Sequence, residues 1–155
     1  MNDASHATTP RGASIALEEL KQRVMGMPMA QTLGLRFLDV QVGSTVMEMP
    51  YSDRLSFAPG LLQATPVFAL ADFAAVAAAG STLPPGWLNA TTDTTLKLVS
   101  PARGTVFRAR GKALSVRKTQ TVCAADVFAV AEDGQETLCA TLLATATNLP
   151  PLNRP

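Results

Sequence analysis

Apolar and charged positions alternate at helical spacing near the start of the chain. Over Ser14–Met25, SIALEELKQRVM, Ile15, Leu17, Leu20 and Val24 recur between Glu18, Glu19, Lys21 and Arg23. This spacing predicts an amphipathic helix with Ser14 as its N-cap. Pro28–Leu33 reads as a further turn, and Leu35–Gln41 and Thr45–Tyr51 as strands joined at Val42–Gly43–Ser44. Asp53–Gly60 reads as a loop. Thr65–Pro66 then opens an alanine-rich helix, with threonine as N-cap, proline in the first helical position and Gly80 at the end. Beyond the turn Leu83–Pro84–Pro85–Gly86 the pattern becomes strand-like. Leu88–Val99, Thr105–Val116, Thr119–Ala131 and Glu136–Thr147 are long runs rich in Thr, Val and Leu, divided at Ser100–Pro101, Arg117–Lys118 and Asp133–Gly134. In the last run Leu138, Ala140, Leu142, Ala144 and Ala146 share one face, and Thr137, Thr141, Thr145 and Thr147 alternate with them. Helix, two strands, long helix, four strands is the order of an α+β domain, one antiparallel sheet wrapped around an apolar helix.

Composition narrows this picture. The 155 residues suit a single domain, expected over 14–149 between a disordered N-terminal tail (1–13) and a short C-terminal tail (150–155). Hydrophobic residues make up 47% and charged residues 16%, which leaves apolar surface for subunits to cover and predicts a homodimer or homotetramer. A net charge of +1 names no partner. Cys123 and Cys139 form no CxxC motif and read as reduced core residues of a cytoplasmic protein, and MNDASHATTPRGAS lacks the layout of a signal peptide. Leu61–Ala79 approaches the length of a membrane span, but an aspartate at a helix centre costs roughly 2.5–3.5 kcal/mol on insertion. A buried helix is the better reading, and no membrane partner is expected.

Candidate chemistry is restricted by the single histidine, His6, which falls in the tail. That removes His-activated nucleophiles and His-ligated metal sites, so no metal or cofactor is expected and a carboxylate is the natural acid–base group. One carboxylate stands out. In FALADFAAVAAAG, Phe68–Gly80, every residue but Asp72 is apolar or glycine. A carboxylate there must find donors, reach a wet cleft or take up a proton. Its helical neighbours Phe68, Ala69, Ala75 and Val76 offer no solvated flank.

Phe68-Ala-Leu-Ala-Asp72 followed by small residues resembles the central-helix motif of the phenylacetyl-CoA (PaaI-like) type of hotdog-fold acyl-CoA thioesterases. Leu96-x-x-x-Ser100-Pro101-Ala102 resembles that family's strand end, and the Pro28-to-Leu35 stretch its approach to the first strand. The resemblance covers roughly residues 15–148. It implies a hotdog fold, with the sheet around a central helix at about residues 65–80. It also implies hydrolysis of an acyl-CoA thioester, with Asp72 as general base or as a nucleophile forming a mixed anhydride. The carbonyl would be polarised by a backbone N–H at the start of the helix, and the carboxylate would come from the other subunit. Where the family commonly has His-Gly-Gly, this chain has Gln63-Ala64-Thr65. Ala64 then supplies the N–H, Gln63 a neutral side-chain donor, and Thr65 stands beside them at the substrate. Phe57 occupies a loop position often filled by a polar residue, and Thr91 matches a position that some relatives fill with a hydroxyl. Phe57, Phe68 and Phe73 either line an acyl pocket or belong to the core. The departures at Gln63–Thr65 and Phe57 also suit a second reading, a protein that binds acyl-CoA or another acyl ligand with little or no turnover.

Seven of the 13 basic residues fall in 97–118: Lys97, Arg103, Arg108, Arg110, Lys112, Arg117 and Lys118. By period two, Arg108, Arg110 and Lys112 share one strand face. The pattern alone reads as a solvated outer face. The resemblance instead implies that Arg108, Arg110, Arg117 and Lys118 hold the phosphates of CoA. No nucleic-acid motif accompanies them, so no nucleic acid is expected. Asp93, within TTDTT, reads as a strand or interface residue.

Overall fold

A computed structural model describes residues 11–152. Helices α1 (Arg11–Met25) and α2 (Pro28–Leu33) lead into strands β1 (Arg36–Gln41) and β2 (Ser44–Pro50). Two short strands, β3 (Ser56–Ala58) and β4 (Leu61–Leu62), precede the long helix α3 (Ala64–Gly80). Four long strands follow: β5 (Leu88–Leu98), β6 (Val106–Val116), β7 (Gln120–Val130) and β8 (Glu136–Leu149). The main sheet is antiparallel in the order β1-β2-β6-β7-β8-β5, and β3 and β4 pair separately. The α+β hotdog architecture expected from the residue pattern and its resemblance is the one observed.

Helix α3 lies in the concave face of the sheet. Its small side chains make this possible, because Ala71, Ala74, Ala75 and Ala78 are fully buried and let backbone approach backbone. The tightest point is Gly111 on β6. A Cβ there would stand 2.2 Å from the carbonyl oxygen of Ala74. The same carbonyl accepts a 2.7 Å hydrogen bond from Thr45 Oγ1, a buried hydroxyl satisfied by the helix it touches. Phe107, Ala109 and Gly111 face α3, so by alternation Arg108, Arg110 and Lys112 face away from it. No helix among the described residues is long and apolar enough to cross a membrane.

Several boundaries differ from expectation. Helix α1 begins at Arg11, so Ser14 is inside it rather than capping it, and residues 11–13 are helical. The rest of the expected N-terminal tail, His6 included, lies outside the described residues. Asp53–Gly60 is not a plain loop: a 3-10 turn over Asp53–Leu55 leads into β3. Helix α3 starts two residues early, with Gln63 as N-cap, so Pro66 occupies its third position rather than its first. Proline is tolerated there because the first four helical N–H groups have no intrahelical acceptor. Gly80 ends the helix without a left-handed turn. Instead, Ser81 and Thr82 hydroxyls donate to the carbonyls of Ala78 and Ala79, each at 2.7 Å. Along β8, Ala140, Leu142, Ala144 and Ala146 are buried as expected, but Leu138 is exposed. A register shift between Val127 and Phe128 flips it and buries Cys139 in its stead.

Candidate active site

Asp72 sits midway along α3 on the flank facing β5. Thr91 Oγ1, on β5, donates to its Oδ1 at 3.0 Å. Around the pair opens a cleft of ≈ 350 Å³ lined chiefly by apolar groups, among them Leu20, Val24, Phe73, Val76 and Leu88. Desolvation by these neighbours pushes the Asp72 carboxyl above the ordinary aspartate range, and the Thr91 hydrogen bond offsets only part of that. Cys123, which faces α3 from β7, is pushed up to about 11, first by its own burial and then by the nearby Asp72 charge. It is a buried thiol, not a nucleophile.

A second polar feature lies at the other end of the helix. Among the described residues no side chain caps α3, since Gln63 is the N-cap residue but makes no capping hydrogen bond. The first N–H groups, those of Ala64 and Thr65, therefore point to solvent with the positive end of the helix dipole behind them. Ala64 borders a cavity of ≈ 370 Å³ formed with Phe57, Leu62, Val67, Leu98 and Val99. Phe57 is 68% exposed, so it stands over this cavity rather than in the core. Phe68 packs against the hydrophobic core and lines neither cavity, whereas Phe73 borders Asp72. Asp72 follows Ala64 by eight residues, ~12 Å along the helix axis at ~1.5 Å per residue. No single carbonyl can touch both within one chain.

The basic residues divide. Arg108 and Arg110 do not reach either cavity. They lie on the sheet face opposite α3, in a chain of ion pairs. Arg108 donates to Glu48 at 2.7 Å and to Glu136 at 2.7 Å, Arg110 pairs with Glu136 at 2.8 Å, and Arg36 pairs with Glu48. The Arg110 guanidinium also stacks 4.6 Å from the Phe128 ring centroid. Burial alone would raise Glu48 and Glu136, but their arginine partners outweigh it and hold both below the usual glutamate range. Within the chain, Arg108 and Arg110 engage carboxylates that sequence separation hid. Arg117 and Lys118 form the exposed β6–β7 turn, fixed to β8 by Asn148 Nδ2 donating to the Arg117 carbonyl at 2.8 Å.

Two residues of the Asp72 cleft had no sequence signal. Asn89 donates to the Val76 carbonyl at 2.9 Å and ties β5 to α3 beside the site. Arg23 lines the same cleft from α1. Its place in an ordinary amphipathic pattern gave no reason to single it out.

A sheet wrapped around a central helix, with a carboxylate on that helix and an open helix N-terminus, defines the hotdog class. Solved structures share this fold. A thioesterase family protein from Silicibacter pomeroyi superposes with a TM-score of 0.82 at 29% identity, covering 90% of this chain and 99% of that one. A thioesterase from Haemophilus influenzae gives 0.75 at 21% identity, covering 89% and 93%. The PaaI protein of the E. coli phenylacetic acid degradation operon gives 0.77 at 16%, covering 90% and 97%. No family model matches the chain, and no curated protein matches it by sequence. The chain has the hotdog fold, and its structural neighbours are thioesterase-superfamily proteins, PaaI among them.

Proposed function

We propose that the protein hydrolyses an acyl-CoA thioester at a site shared between two subunits. One observation carries this reading. Asp72 is desolvated and oriented by Thr91 in an apolar cleft, ~12 Å from the uncapped N-terminus of its own helix. Two subunits pairing through β5 bring the Asp72 cleft of one against the Ala64 cavity of the other, since β5 borders both. The sequence departs from the usual His-Gly-Gly only in side chains, and the backbone donors survive.

In the general-base form, Asp72 removes a proton from water as the water oxygen bonds to the thioester carbonyl carbon. The partner's Ala64 N–H stabilises the negative charge on the carbonyl oxygen. Collapse breaks the carbon–sulfur bond, and the proton held by Asp72 passes to the departing CoA sulfur, leaving free acid and CoA. In the nucleophilic form, Asp72 displaces the sulfur itself, and water then cleaves the mixed anhydride. A desolvated carboxylate of raised pKa is both a stronger base and a stronger nucleophile than an exposed aspartate, so it serves either form. The apolar linings suit an apolar acyl chain, and Arg117 and Lys118 remain candidates for the CoA phosphates.

Ala64 carries a methyl group where glycine is usual, and this favours a second reading, an acyl-CoA binder with little turnover. A hydrolysis screen over short, long and aromatic acyl-CoAs, run beside thermal shift with free CoA, decides between them. Turnover lost in Asp72→Asn supports the enzyme. Stabilisation by CoA with no turnover of any acyl-CoA supports the binder. A monomer that responds to neither sinks both.

A further inference from the structure

Two charged side chains line the Asp72 cleft among the described residues, Asp72 itself and Arg23 of α1. They stand apart. Arg23 and Leu20 also border the small neighbouring pocket built by Gly80, Ser81 and the Leu83–Trp87 turn. Leu20 Cδ1 and the side-chain amide of Asn89 both come within 3.5 Å of where a Cβ on Gly80 would stand. Leu20, Arg23 and Asn89 therefore mark the end of the cleft toward the C-terminus of α3. Gly80 follows Asp72 by eight residues, ~12 Å along the helix axis at ~1.5 Å per residue. The Asp72 carboxyl is raised by burial and lowered by Thr91 alone, so the Arg23 charge acts elsewhere than on the base.

We infer that Arg23 is a specificity-determining residue: it pairs with a carboxylate at the far end of the acyl chain, and the preferred substrate is the CoA monothioester of a dicarboxylic acid. This assignment rests on the thioesterase reading and gives it a substrate class.

Arg23 is exposed and makes no ion pair among the described residues. Glu19, one turn earlier on α1, borders the neighbouring pocket without engaging it. An acyl group with its carbonyl at Asp72 runs between Val24, Phe73, Val76 and Leu88 and ends beside Arg23 and Asn89. A methyl end there displaces water from the guanidinium and leaves it unpaired. A carboxylate end pairs with it through two parallel N–H···O bonds, a planar match that a guanidinium makes and an ammonium does not. Asn89 adds a donor. One N–H of its amide is held by the Val76 carbonyl at 2.9 Å, which fixes the group and leaves the second N–H without a protein acceptor among the described residues. The apolar middle of the cleft suits the methylene chain between the two ends.

Paired substrates test this: glutaryl-, adipyl- and suberyl-CoA against valeryl-, hexanoyl- and octanoyl-CoA, each pair equal in carbon count. Wild type should favour the charged member of at least one pair on the order of tenfold in kcat/KM. In Arg23→Met, which keeps the apolar stem, that preference should vanish. The loss should fall in KM, because the contact is alike in ground and transition states. Arg23→Lys should keep part of the preference. N-acetylcysteamine thioesters of the same acids lack the CoA phosphates and should show the same preference and the same loss. A loss that strikes both members of every pair equally, and disappears with these thioesters, assigns Arg23 to the CoA phosphates and overturns the inference. A wild type that turns over the uncharged series as well or better also overturns it, while leaving the thioesterase reading standing. A basic residue in the last turn of α1 also suits the helix dipole. An Arg23→Met variant that melts earlier but keeps the preference makes Arg23 structural and overturns the inference as well. Hydrolysis of neither series removes the thioesterase reading and this inference with it.

Discussion

Replacing Asp72 with asparagine keeps the size of the side chain and removes its charge. Among the described residues the carboxylate has one protein donor, Thr91 at 3.0 Å, against a cleft of chiefly apolar side chains. The raised pKa fixes the sign of the stability effect. A carboxyl that titrates higher in the folded state than in the unfolded one favours folding when protonated. That contribution is lost as pH rises through the folded pKa, and the ionised side chain then costs stability at neutral pH. Asparagine removes that cost and still accepts from Thr91 through its amide oxygen. We expect a gain of about 1 kcal/mol at pH 7, or roughly 2–4 °C in Tm for a chain of this size. Without the base, hydrolysis should fall about 10²–10⁴-fold. The assay pairs steady-state thioesterase kinetics with thermal melts from the mildly acidic range to pH 8, and the variant's advantage should shrink toward acid. A structural aspartate predicts the reverse. Losing an anionic acceptor of buried hydrogen bonds destabilises by about 1–3 kcal/mol. A variant that melts earlier yet keeps its turnover would refute the reasoning.

Thr91→Val removes the one hydrogen bond that lowers the Asp72 pKa, so the acid limb of the pH–rate profile should move to higher pH, as titrated kcat will report. Gly111→Ala puts a methyl group 2.2 Å from the Ala74 carbonyl oxygen, which forces α3 off the sheet; urea melts should record a loss of about 3 kcal/mol or more. Arg108→Met leaves the 3%-exposed Glu48 with Arg36 as its sole partner and should cost about 1–3 kcal/mol in the same melts. Glu48 is depressed in the fold, so its contribution is present above the ordinary glutamate pKa and lost as pH falls through the lower folded value. The variant should therefore lose less stability than wild type over that acid range, and its CoA affinity should be unchanged by calorimetry.

The fold was legible because its periods are clean. Period two ran through four long strands, and an alanine-rich helix with one acid stood between them. What escaped depended on contacts between distant positions. The ion pairs of Arg108 join residues 60 positions apart (Glu48) and 28 apart (Glu136), and no local pattern exposes such a pairing. Gly111 looked like an isolated glycine because the helix backbone that excludes its side chain is 37 residues away along the chain. Leu138 kept perfect alternation in sequence and lost it to a bulge. Asp72 was visible as an anomaly, but its hydroxyl partner and its distance from the helix N-terminus required the packed structure.

The account's central claim is a site that no single subunit completes, and complementation tests it most directly. Asp72→Asn removes the base. Ala64→Pro removes the N–H donor at the first helical position, where proline fits, and Gln63 already has the extended ψ of 154° that a following proline requires. Each variant alone should be nearly inactive. Mixed in equal amounts and allowed to exchange subunits, half the dimers are hybrids with one intact site of two, so about a quarter of wild-type activity should return. If the hybrids form, wild type is active, and the mixture stays as inactive as its components, then Asp72 and the Ala64 N–H do not act on the same thioester from two subunits.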